Sequence, residues 1–227
     1  MTKLKDRVGQ DPSIKALSVF DLDYTLIAGN SSFKFCQYLS RRAVLPSFTP
    51  FYSFFYYLRH RFLNLSLSAL HHKIFTCFLK GKSLELLESF VEPFIQEEIS
   101  SLLYMPAIDH LRRAQHLGHF TLILSNSPEF LVKGIAEFLG VSGWHATRYA
   151  VDKDNMLSHV AAIMQGEDKA WQVKAIADKL NLDKSQITAY SDSHLDIPFL
   201  LSAGKAVAVN PNRKLLQISR KHNWPVI

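Results

Sequence analysis

Four short apolar runs constrain this chain most: Ala16–Phe20, Phe120–Leu124, Ile187–Tyr190 and Lys205–Val209. Each is long enough for a buried parallel strand and too short for a typical helix. Among them lie stretches of helical character, Pro128–Leu139, Asp168–Leu180 and Asp196–Ser202. Apolar strands alternating with helices predict an α/β fold, a Rossmann-like three-layer core whose parallel central sheet is covered on both faces.

The alternation fails in one place. From Asn30 to Met105 the chain is helical in character, as in Ser83-Leu-Glu-Leu-Leu-Glu-Ser-Phe-Val91, and it separates the first strand from the next by far more than one crossover requires. We therefore expect an inserted α-helical cap domain over 30–105, with 1–29 and 106–227 forming the core. A chain of 227 residues can hold one such core and a second small unit.

With 48% apolar and 20% charged residues the chain has the make-up of a folded globular protein. The net charge of +6 would suggest nucleic acid only if the basic residues clustered. Lys3, Lys5 and Arg7 near the start, and Arg213, Lys214, Arg220 and Lys221 near the end, read instead as solvated surface, so no nucleic-acid partner is expected. Cys36 and Cys77 form no CxxC pair and the N-terminus carries no apolar secretory region, which predicts a cytoplasmic protein with both thiols as small buried hydrophobes.

In an open parallel sheet, ligands sit beyond the carboxyl ends of the strands, where helix N-termini also point. Asp21 and Asp23 fall at such an end, as do Ser125 and the Ser191-Asp-Ser193 run. One aspartate alone reads as a cap or turn residue. Four that converge, Asp21, Asp23, Asp192 and Asp196, repel one another and call for a counter-charge. A hard divalent cation, Mg²⁺, supplies it, and Lys169 can add to it.

These residues also carry a resemblance. Phe20-Asp-Leu-Asp-Tyr-Thr-Leu26, Leu124-Ser125-Asn126, Gly166-Glu-Asp-Lys169 and Tyr190-Ser-Asp-Ser-His-Leu-Asp196 resemble, in order, the four motifs of haloacid-dehalogenase-superfamily phosphatases. The long insertion and the closing Ala208-Val-Asn-Pro-Asn-Arg are similar to the phosphoserine-phosphatase-like branch, subfamily IB.

The resemblance implies that Asp21 attacks phosphorus and becomes an aspartyl phosphate, while Asp23 protonates the leaving oxygen and later activates water. It implies that Mg²⁺ is held by the carboxylates of Asp21 and Asp192 and the carbonyl of Asp23, with Asp196 orienting the metal's waters. Ser125, with Asn126, and Lys169 would hold the phosphoryl oxygens, and Thr25 would support the turn. The implied activity is a Mg²⁺-dependent phosphomonoesterase for a small phosphorylated metabolite.

Two positions depart from the branch. Leu195 stands where an asparagine is usual, and Asn30 where an acidic residue is common. They motivate the alternative of a weak or inactive binding or regulatory protein with the same fold, one that recognises a lipid-like phosphate. A nucleotide-sugar transferase using Asp-Leu-Asp as a metal clamp has no use for Ser125, Lys169 and Asp192 in this order.

From Asn30 to Leu84 there is no Asp or Glu, against eight Lys or Arg and thirteen of the chain's 27 aromatic residues. The run Phe51-Tyr-Ser-Phe-Phe-Tyr-Tyr57 is the densest part. Apolar helix faces usually bury inward, so these rings read first as cap core. A spanning helix is not expected, because the uncharged run Ala43–Leu58 falls short of the ~20 residues required and contains Pro46 and Pro50. Contact with an anionic membrane surface is the second reading of the same stretch.

Overall fold

A computed structural model describes residues 14–62 and 66–227. Lys3, Lys5 and Arg7 lie outside the described residues, as do the side chains of Tyr57, Arg59 and Arg61. Six strands form one sheet in the order β4-β3-β2-β1-β5-β6. They are β1 (Leu17–Phe20), β2 (Phe120–Pro128), β3 (Gly143–Val151), β4 (Leu157–Ala162), β5 (Ile187–Ser191) and β6 (Lys205–Ala208). All neighbouring pairs are parallel except β3 with β4.

Strand periodicity divides the apolar side chains between two layers of helices. Leu17, Val19, Leu122, Leu124, Ile187 and Ala189 pack into one core with Val173, Phe199 and Leu215. Those three come from α9 (Gly166–Leu180), α10 (Ile197–Ser202) and α11 (Arg213–His222). The alternate residues Phe20, Ile123, Tyr190 and Val207 join the opposite core, with Leu111 and Ile135 from α7 (Met105–His116) and α8 (Glu129–Leu139). Phe20 and Tyr190 stack across neighbouring strands with centroids 4.3 Å apart.

Between β1 and β2 the chain forms α1 (Ser31–Arg41), α2 (Thr49–Phe62), α3 (Leu67–Ile74), α4 (Leu84–Ser89), α5 (Val91–Phe94) and α6 (Ser100–Leu102). Two π-helical turns, Phe75–Leu79 and Ile95–Ile99, interrupt them. Asn30, Ser66 and Ser83 cap α1, α3 and α4, each side-chain oxygen accepting a first-turn N–H. Phe35, Leu87 and Phe94 of these helices belong to the same apolar cluster as Phe20 and Ile123, so the insertion sits directly on the sheet's own core. No described helix is long and apolar enough to cross a membrane.

The expected parallel central sheet is present, with one element added and two expectations of burial corrected. At the edge β3 and β4 form an antiparallel hairpin that the sequence hides, because Trp144-His-Ala-Thr-Arg-Tyr149 lacks a continuous apolar run. Its turn is marked by Asp152, whose Oδ1 accepts from the amides of Asp154 and Met156, and by Asn155 at φ 59°. Cys77 is exposed and Cys36 only partly buried, because Phe75, Phe78 and Leu79 take the inward positions of the turn that carries Cys77. The aromatic run of α2 does not bury as a unit, since Phe51, Phe54 and Phe55 face solvent.

One glycine sets how closely α9 approaches the loop after β5. A Cβ at Gly166 would stand 2.4 Å from the carbonyl oxygen of Leu195, a backbone atom that cannot swing aside. We expect Gly166→Ala to destabilise the fold by about 1–3 kcal/mol, lowering the thermal midpoint by several degrees. An unchanged midpoint in a thermal melt would show that the two backbones can separate freely.

Candidate active site

Register brings the site together. Phe20 pairs with Ile123 on one side and Tyr190 on the other, and the Asp21 amide donates to the Tyr190 carbonyl at 2.9 Å. One residue further, Asp21 therefore stands beside the ends of β2 and β5, where the strand order reverses direction. Past it, Leu22 turns into the core while Asp21 and Asp23 stay on the site side, the alternation of an extended chain. The turn then closes with Tyr24 at φ 61° and the amides of Thr25, Leu26 and Ile27 donating to the Leu22 carbonyl.

Lys169, in the first turn of α9, is 1% exposed. Its Nζ donates to Asp21 Oδ1 and Asp196 Oδ2, both at 2.7 Å. The 3₁₀ turn His194–Asp196 delivers the second of these carboxylates, which also accepts from Ser191 Oγ at 2.7 Å. α9 is held in position by a reciprocal cap: Gln165 accepts from the Asp168 amide while Asp168 Oδ2 accepts from the Gln165 amide at 3.1 Å.

Thr25 ties the first and fourth motifs together, its hydroxyl lying 3.4 Å from Asp21 Oδ2 and 3.5 Å from Asp192 Oδ1. Asp23 has a separate setting. Its Oδ1 accepts from the Ser31 amide and its Oδ2 from Ser127 Oγ, both at 2.6 Å. The Ser127 amide in turn donates to Ser125 Oγ at 3.1 Å. Ser31 and Ser32 hydroxyls reach Ser127 at 3.1 and 2.5 Å, so the first turn of α1 is fastened to the loop after β2.

Burial raises all three strand-end acids from their ordinary values. Asp21 is pushed up to about 7, the effect of burial exceeding that of Lys169. Asp192 is pushed up to about 8 by burial and then by the charges of Asp21 and Asp196. Asp23 is raised by burial, against the hydrogen bonds from Ser127 and Ser31. Burial alone would lower Lys169, but Asp196 and Asp21 outweigh it and hold the ammonium above the usual lysine value.

Asp21, Asp192, Asp196, Lys169 and Thr25 are thus linked by direct contacts, and Asp23 and Ser125 by a chain of serines. Asn126, half-buried between Ser125 and Ser127, has no hydrogen-bond partner for its Oδ1. Among the described residues no three His, Cys, Asp or Glu side chains cluster to hold a metal. Both oxygens of Asp23 and one of Asp196 are already taken by other partners. Sequence reasoning missed Ser127 and Ser31, and placed Ser191 at the strand end without giving it a partner. Ser127 had a signal in its place two residues beyond Ser125, but nothing in the sequence paired it with Asp23, 104 positions earlier.

Known proteins resemble this chain over most of its length. The family model of haloacid dehalogenase-like hydrolases matches residues 18–201. A probable phosphatase of Mycobacterium tuberculosis is 29% identical over 225 residues, which cover 96% of this chain and 77% of that protein. A histidinol-phosphatase of Neisseria meningitidis serogroup C is 25% identical over 223 residues, 94% of this chain and 99% of the other. A substrate-bound phosphoserine phosphatase structure superposes with a TM-score of 0.70 at 19% identity, over 94% of this chain and 92% of that one. Four motifs on one sheet edge, in a chain matched by that family model over most of its length, make this protein a member of the haloacid dehalogenase-like hydrolase family.

Proposed function

We propose that this protein is a Mg²⁺-dependent phosphomonoesterase that works through an aspartyl phosphate on Asp21. The observation that carries the reading is the buried link from Lys169 to Asp21 and Asp196, with Asp192 beside the same threonine. Its curated relatives, named a probable phosphatase and a histidinol-phosphatase, support the reaction class.

The donors suit a hard dication. Asp21 and Asp192 share one hydroxyl, and their raised pKa values show that Lys169 alone does not offset their burial and mutual repulsion. Their carboxylates and the Asp23 backbone carbonyl would hold Mg²⁺, an all-oxygen set. When bound, the ion lowers the repulsion between an anionic nucleophile and a phosphate ester.

Every other step belongs to the chain's own groups. An Asp21 carboxylate oxygen attacks phosphorus as the bond to the ester oxygen breaks. Asp23, kept protonated more readily by its burial, gives its proton to that oxygen. It then takes a proton from the water that attacks the same phosphorus, releasing phosphate and restoring Asp21. Lys169, Ser125 and Asn126 would hold the phosphoryl oxygens as donors, Asn126 through its amide N–H groups. Residues 30–105 would act as the cap over this site.

The substrate class is a small phosphorylated metabolite. Asn30, in place of an acidic residue, caps α1 through its side chain at 2.8 Å from the Phe33 amide, so it offers the site no negative charge for a substrate amine.

With p-nitrophenyl phosphate, Asp21→Asn should lower kcat/KM more than about a thousandfold. EDTA should abolish wild-type turnover and Mg²⁺ restore it; turnover indifferent to EDTA would reject the metal role, and none under any condition would favour the binding-protein alternative. Ser127→Ala should lower kcat by about tenfold to a hundredfold with little change in KM, because it releases Asp23 without touching the phosphate site. Equal kcat in the variant would remove Ser127 from that role.

A further inference from the structure

The exposed rings of α2 form a face. Phe48, Phe51, Phe54 and Phe55 are 60%, 77%, 47% and 50% exposed. At 3.6 residues per turn they fall within an arc of about 120° on one side of the helix. The opposite side is anchored: Ser53 and Thr49 are buried, and Tyr52 meets Phe78 edge-on at 5.1 Å. Phe54 and Phe48 meet Phe33 and Phe78 in tilted pairs with centroids 6.5 and 6.1 Å apart, and both stay largely exposed. Burying the rest of four phenylalanines needs something beyond the described residues.

Charge decides what that is. The chain from Asn30 to Leu84 has eight Lys or Arg and no Asp or Glu. Arg41 and Arg42 are paired to Glu98 and Glu97, whereas Lys73 of α3, over the Tyr56 ring at 5.9 Å, and Lys80 after the following turn are exposed and carry no carboxylate partner among the described residues. A second copy of the same face would bring cations against cations. An anionic surface offers apolar depth for the rings and counter-charge for the lysines together.

We propose that the Phe48–Phe55 face of α2 docks on an anionic lipid bilayer, lying in the headgroup boundary with its rings inserted. The contact is peripheral, since no described helix can span a membrane. Through Phe33 on α1, whose first turn is bonded to Ser127 and Asp23, the docked face stands next to the candidate active site. The docking does not depend on the proposed phosphatase reaction and is tested without it.

The test is flotation of the full chain with vesicles of phosphatidylcholine alone, or of phosphatidylcholine and phosphatidylglycerol in equal parts. The protein should float with the anionic vesicles at low salt, far less at high salt, and little with the neutral ones. Phe51→Ser should weaken the partition by about tenfold, and Phe51→Ser with Phe55→Ser by more, at an unchanged thermal midpoint. Trp171→Ser, which alters an exposed ring on α9, should float as wild type does. Failure of the wild type to float with anionic vesicles, or equal flotation of wild type and the Phe51→Ser variant, overturns the proposal. So does a dimer in sedimentation that the serine variant dissolves, which would assign the face to a second copy.

Discussion

The ammonium of Lys169, buried between Asp21 and Asp196, is the interaction on which the rest of the site depends. Taking one partner from a buried ion pair typically costs about 3–5 kcal/mol, because it leaves a charge in a medium that solvates it poorly. Here one cation serves two acids from different motifs, so the position of α9 and the end of β1 and the turn after β5 are all fixed by one atom. The Gly166 contact with Leu195 and the Gln165–Asp168 cap act on the same helix start and hold that atom in register. Even so, burial keeps Asp21 and Asp192 well above the ordinary carboxylate range.

A second dependence runs through the serines. Asp23 is held from two sides, by the first amide of α1 and by Ser127 after β2. α1 opens the helical insertion, so any shift of those helices against the sheet is felt at the Asp23 carboxylate. Substrate selection in the insertion and proton transfer in the core are thereby coupled in the proposed reaction. Leu195 bears little on this, because its side chain is 51% exposed and its structural part is played by its backbone carbonyl.

Much of the fold was legible because its strands are short apolar runs bounded by chemistry. β1, β2, β5 and β6 were found within a few residues, and the helices α8, α9 and α10 after them. The β3–β4 hairpin was not, since an edge pair with one solvated face carries only weak alternation. The acids and Lys169 were visible as motifs in order, but their partners were not. Ser127 acts through register between distant strands, which no local spacing encodes, whereas Ser191 reaches Asp196 within its own motif. The exposure of Phe51 and Phe55 was equally hidden, because periodicity states which residues share a face and not whether anything covers it.

The most direct measurement traps the covalent step. Turnover of a phosphate ester is quenched with borohydride, which reduces an acyl phosphate to an alcohol, and the peptides are read by mass spectrometry. Reduction of Asp21 alone to homoserine, only when the ester is present, is the predicted result. Turnover with an unmodified Asp21, or with reduction at Asp23 or Asp192 in its place, would contradict the account.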